Sequence, residues 1–157
     1  MNRKRTLTIV LIVLILATIA FIWSNSLQSI PESRARSLGV LAQIKPFIEI
    51  FVGQNNVTDN LVRKLAHFIE YGVLGCSLAL MLILRKRVRR QQVINCAFAA
   101  MTVALTDETI QIFTGRGSQV KDVWLDFAGS CTGILFVFAI VILIKAIRRR
   151  KNERRRT

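Results

Sequence analysis

Four blocks of about twenty apolar residues divide this 157-residue chain, and each is long enough for a helix rising 1.5 Å per residue to cross a ~30 Å hydrocarbon core. They cover residues 7–23, 65–84, 92–113 and 123–144. The first is free of charge and the last carries only Asp126, while the two middle blocks gather polar residues at one end. Hydrophobic residues make up 52% of the chain and fall in these blocks rather than being scattered as in a soluble core. The expected fold is therefore an all-α integral membrane protein with four transmembrane helices. It forms one membrane domain over residues 1–144, followed by a basic tail over 145–157 that is expected to be disordered.

The net charge of +14 would suggest nucleic acid, but its placement points to topology. Sixteen of the 23 basic residues fall in three short stretches at span ends, residues 3–5, 85–90 and 145–156. The segments between them are close to neutral. This is the positive-inside pattern, which predicts cell-membrane insertion with both termini cytoplasmic and a tight cytoplasmic turn at 85–90. Anionic lipid accounts for the basic tail, and no nucleic-acid partner is expected.

The first block also has features of a secretory signal, since Arg3-Lys4-Arg5 precedes it and Ser24-Asn25-Ser26 follows. Its length and its closing Trp23 favour an uncleaved span. Cys76, Cys96 and Cys131 fall one per span without metal-ligand spacing and read as buried thiols. The sequon Asn56-Val57-Thr58 has meaning only in a eukaryotic secretory pathway, to which nothing else points.

The long connection between spans one and two lies on the outer side. Within residues 38–52, Leu41, Ile44, Ile48 and Phe51 recur at spacings of three and four, which predicts an extracytoplasmic interfacial helix interrupted near Pro46. Thr58 is the expected N-cap of span two.

Ionisable residues inside spans are costly and mark functional sites. Counted from the cytoplasmic ends at 1.5 Å per residue, His67, Glu70, Asp107, Gln111 and Asp126 all reach about 22–28 Å, one level in the outer third of the bilayer. Asp122, Asp126, Gly129 and Gly133 share one face of span four, so the carboxylates continue a Gly-x-x-x-Gly packing seam. Lys64, His67, Tyr71 and Leu74 follow a stripe on span two, and Asp107 stacks one turn from Gln111 on span three. Gly115-Arg116-Gly117 forms the outer turn and leaves Arg116 near the cluster.

At these positions the chain resembles the VanZ-like family of small bacterial membrane proteins. The matching pieces are Trp23-Ser24-Asn25-Ser26-Leu27-Gln28, Lys64-Leu65-Ala66-His67-Phe68-Ile69-Glu70-Tyr71, Asp107-Glu108-Thr109-Ile110-Gln111-Ile112-Phe113 and Asp122-Val123-Trp124-Leu125-Asp126-Phe127-Ala128-Gly129. The resemblance implies a bacterial envelope protein. Because the founding member is associated with low-level teicoplanin resistance, it also implies an effect on glycopeptide susceptibility.

Two chemistries suit these residues. In one, Glu70, Asp107, Glu108, Asp122 and Asp126, with or without His67, hold a divalent cation, Mg or Mn, while Lys64, Arg116, Lys121 and Asp122 bind substrate at the rim. In the other, His67, Glu70, Asp107, Gln111 and Asp126 form a catalytic set working by acid–base transfer. The expected partner is a membrane lipid or a lipid-linked envelope precursor, and self-association into a homo-oligomer is left open. The rival reading is a non-enzymatic protein whose polar cluster is a packing network or a partner-binding site.

Overall fold

The computed structural model describes residues 3–52, 58–85 and 88–154, apart from the side chains of residues 44, 47, 48, 51 and 52. Most of the sequon, part of the basic turn and most of the amphipathic stripe therefore lie outside the described residues. Five helices follow in order: α1 (Arg3–Ser26), α2 (Ile30–Val52), α3 (Asp59–Ile83), α4 (Arg90–Phe113) and α5 (Val120–Glu153). All except α2 are long and apolar enough to cross a membrane. The expected spans thus appear as helices that run on into the flanking polar residues, farthest at the start of α3 and the end of α5. Thr58 caps α3 as expected, its hydroxyl accepting from the Leu61 amide at 3.2 Å.

Two expectations are corrected. Pro46 does not interrupt α2, which is one helix from Ile30 to Val52. The ring is exposed, so the missing N–H and the displaced carbonyl cost one backbone hydrogen bond without ending the helix. The basic tail is not disordered as far as Glu153, because α5 runs on through it as a single 34-residue helix. Lys, Arg and Ala are strong helix formers, cations suit a helix C-terminus, and Arg149 pairs with Glu153 at 3.0 Å one turn on.

The central contact is between α3 and α5, which pack almost backbone to backbone. A Cβ placed on Gly129 would come 2.5 Å from the Phe68 carbonyl oxygen, and one on Gly75 would come 2.0 Å from that of Ser130. The Ser130 hydroxyl donates to the Tyr71 carbonyl at 3.2 Å across this seam. Ile22 of α1, Tyr71 and Leu74 of α3, Ala104 of α4 and Val123 of α5 form the buried core beside it. The turn from α4 to α5 depends on Gly115 and Gly117, whose φ angles of 72° and 71° favour glycine.

Candidate functional site

The seam sets the position of the polar cluster. Gly129 rests on the backbone of Phe68, so His67, one residue earlier, and Asp126, one turn earlier, are brought face to face. His67 Nδ1 lies 3.8 Å from Asp126 Oδ1 and 3.7 Å from Asp107 Oδ2 of α4. Both carboxylates are buried, with 0% exposure for Asp107 and 1% for Asp126. These separations exceed hydrogen-bond length, so no direct hydrogen bond joins the imidazole to either carboxylate.

Around this centre the contacts are closer. Gln111, one turn from Asp107, donates to Asp107 Oδ2 at 3.0 Å and to Glu108 Oε1 at 3.2 Å, and its amide lies 3.4 Å from the Ser26 hydroxyl. Glu70 accepts from the Asn25 amide at 3.1 Å, and the Asn25 carbonyl oxygen of the side chain accepts from Arg36 at 2.9 Å. A short relay thus joins α2, α1 and α3. Among the described residues, Glu70 Oε2, Asp107 Oδ1, Asp126 Oδ2 and the Tyr71 hydroxyl are buried without a hydrogen-bond partner. Native proteins leave few such groups, so their concentration at one place marks a site.

The cluster of His67, Glu70, Asp107, Gln111 and Asp126 therefore comes together at one end of the bundle. The remaining candidates divide. Lys64 and Asp122 form an ion pair at 2.6 Å and are occupied with each other. Glu108 is buried, and its Oε2 accepts from the Ser118 hydroxyl and from the Gln119 amide at 3.3 Å, tying down the α4–α5 turn. Arg116 is not an exposed rim residue. It is buried and donates to the Asn25 carbonyl at 2.6 Å and to the Ser33 hydroxyl at 2.9 Å, strapping the turn to α1 and α2. Burial, and next the charge of Arg63, lowers its pKa below the usual arginine value, although a guanidinium stays charged. Lys121 is exposed and makes no hydrogen bond or ion pair with the cluster among the described residues.

A cleft of about 190 Å³ opens beside the cluster, between α1, α2 and α3. Glu70 and His67 line it together with Arg36, Arg63, Arg116 and Asn25, and Phe21, Val40 and Val62 supply apolar surface. His67 also borders a crevice of about 20 Å³ on its other side, shared with Asp126 and Gln111. Sequence reasoning missed Asn25, Arg36 and Arg63 as site residues. Asn25 had a signal, lying in the Trp23–Gln28 motif at the end of α1, but Arg36 enters only because α2 folds back over that end.

No curated protein matches the chain, and no solved structure does. A family model described as VanZ/LLP1 matches residues 8–144, and this range takes in most of α1 and α5, all of α3 and α4, and every residue of the cluster. The chain is a multi-pass membrane protein that belongs to the VanZ/LLP1 family.

Proposed function

We propose that this protein holds the polar head group of a membrane amphiphile, a lipid-linked envelope precursor or an anionic lipid, in the cleft between α1, α2 and α3. The observation that carries the reading is the lining, where Arg36, Arg63 and Arg116 stand over Glu70 and His67 beside apolar surface. Arginine suits phosphate and carboxylate groups, and Arg63 makes no hydrogen bond or ion pair among the described residues. Pockets that enclose a drug-sized ligand run about 300–1,000 Å³. At about 190 Å³ the cleft is sized for a head group whose tail stays in lipid. Glu70 and His67 offer that head group a proton donor and acceptor, as modification would need.

The alternating basic stretches support an outward-facing cleft, in the leaflet where lipid-linked precursors are exposed to glycopeptides. Binding or altering such a precursor is the route by which the protein would change teicoplanin susceptibility. The test uses protein in nanodiscs with polyprenyl phosphate or phosphatidylglycerol, reading binding and, by lipid mass spectrometry, turnover. Arg63→Ala should weaken binding about tenfold or more while leaving the melting temperature within a few degrees. Saturable binding without product would make the protein a binding module, and product formation lost in Glu70→Gln would make it an enzyme.

A packing network is the second reading. It is favoured by the Lys64–Asp122 pair and by the internal contacts of Glu108 and Arg116. On that reading Arg63→Ala changes nothing, and variants at the cluster lose folded protein in step with any phenotype.

A further inference from the structure

His67 of α3, Asp107 of α4 and Asp126 of α5 each turn one ligand atom toward a common point, and these atoms all lie within 4.8 Å of one another. We propose that they form a three-ligand site for a divalent transition-metal ion, with zinc preferred. Bonds from zinc to imidazole nitrogen and carboxylate oxygen are about 2.0–2.2 Å, which puts tetrahedral ligand atoms about 3.3–3.6 Å apart, so the two His67 separations of 3.7 and 3.8 Å are close to bound spacing and the two carboxylates close in around the ion when it binds.

Independent observations point to a cation here. Asp107 Oδ1 and Asp126 Oδ2 have no hydrogen-bond partner among the described residues, although both side chains are almost wholly buried. Of the nearby cations, Lys64 is committed to Asp122 and Arg116 to the Asn25 carbonyl and Ser33, while Arg63 lines the crevice but forms no ion pair with either carboxylate among the described residues. Two buried carboxylates with only an imidazole between them are costly unless a cation joins them or they take up protons, and a bound metal ion supplies the first. A crevice of about 20 Å³ beside the three ligand atoms, bordered by His67, Asp126 and Gln111 and also by Arg63 and Lys64, has room for about one water to complete the coordination. Gln111 donates to Asp107 Oδ2 and fixes that carboxylate's orientation, as groups behind metal ligands do.

The donor set narrows the metal. One imidazole and two carboxylates favour zinc, and next manganese, over the magnesium that an all-oxygen site would select. The set also departs from the five-carboxylate expectation. Glu108 is held by Ser118 and Gln119 and Asp122 by Lys64, and Glu70 is not among the residues whose ligand atoms converge, leaving His67 as the third ligand. Three protein ligands leave a coordination position for water or a substrate oxygen, and His67 places it next to the cleft. This site stands whether or not the cleft takes a lipid.

His67 is the only histidine in the sequence, which makes the test direct. Untagged protein in nanodiscs, stripped with chelator and labelled with ¹⁵N in the imidazole, is titrated with Zn²⁺ and separately with Mg²⁺. The expected result is about one Zn²⁺ per chain, a shift of the single imidazole signal complete at one equivalent, and Mg²⁺ at least tenfold weaker. His67→Gln and Asp126→Asn should each weaken zinc binding about tenfold or more, and Lys121→Ala should leave it unchanged. An imidazole signal unmoved by zinc would overturn the site even if the variants fail to fold. So would zinc retained at equal affinity by folded His67→Gln and Asp126→Asn.

Discussion

Gly133 of α5 lies so close to Gly72 of α3 that a Cβ on Gly133 would come 2.1 Å from the Gly72 carbonyl oxygen. Backbone must move to admit even a methyl group there. Gly133→Val should therefore separate the two helices and destabilise the protein by roughly 1–3 kcal/mol or more, with lipid and metal binding falling alongside because the same seam positions His67 and Asp126. Gly39→Ala on α2, where nothing lies within 4 Å, should be neutral or slightly stabilising. Thermal melts of the two variants in detergent test the contrast, and equal losses would contradict it.

Glu70→Gln and Asp126→Asn should abolish function while leaving expression and membrane insertion close to normal. Each replaces an ionisable group, buried for Asp126 and half-buried for Glu70, by a neutral one of the same shape, which removes a desolvation cost. Size-exclusion profiles alongside a susceptibility or binding assay provide the check. Aggregation of both variants would instead assign the pair to packing.

Glu108→Ala should loosen the α4–α5 turn, since it removes the acceptor for the Ser118 hydroxyl and the Gln119 amide. A loss of about 1–3 kcal/mol is expected from the groups left unpaired. Faster hydrogen exchange at the start of α5, with the α3–α5 seam still protected, would be the observable.

Lys64 and Asp122 should behave as a coupled unit. Their side chains are about a quarter exposed, so Lys64→Met or Asp122→Asn alone should cost more than the two combined, with a coupling of roughly 1 kcal/mol. A double-mutant cycle on unfolding measures it, and additive effects would show the pair to be incidental.

Topology gives the last prediction. In a variant lacking the native cysteines, a cysteine at the exposed Lys121 should react with an impermeant maleimide in intact cells, whereas one at Arg90 should react only after permeabilisation. The reverse pattern would turn the cleft toward the cytoplasm.

The sequence made the spans legible because hydrocarbon thickness sets a length that apolar blocks must meet. The glycine seam was equally legible, since a four-residue spacing places Gly129 and Gly133 on the face that carries Asp126. Depth counting brought His67, Glu70, Asp107, Gln111 and Asp126 to one level, and the structure brings them together there. It could not say which cations remain free, because partner choice depends on neighbours distant in the chain. Lys64 turns to Asp122 and Arg116 to Asn25 and Ser33, while Arg63, the residue before Lys64, reaches the cleft. The reach of α2 was hidden for the same reason, since Arg36 meets Asn25 only through tertiary folding.

α1 packs on the bundle core through Ile15, Ile19, Ile22 and Trp23, with the Ser26 carbonyl accepting from Thr114, while Leu7, Val10 and Val13 are exposed. In a bilayer that free half gains nothing from docking, because lipid tails solvate it as well as another helix would. Phe21 of α1 is 54% exposed and also lines the cleft, so the rim of the cleft on this side is an apolar edge turned outward from the bundle. A ligand could enter laterally, keeping its tail in hydrocarbon, without first being lifted into water.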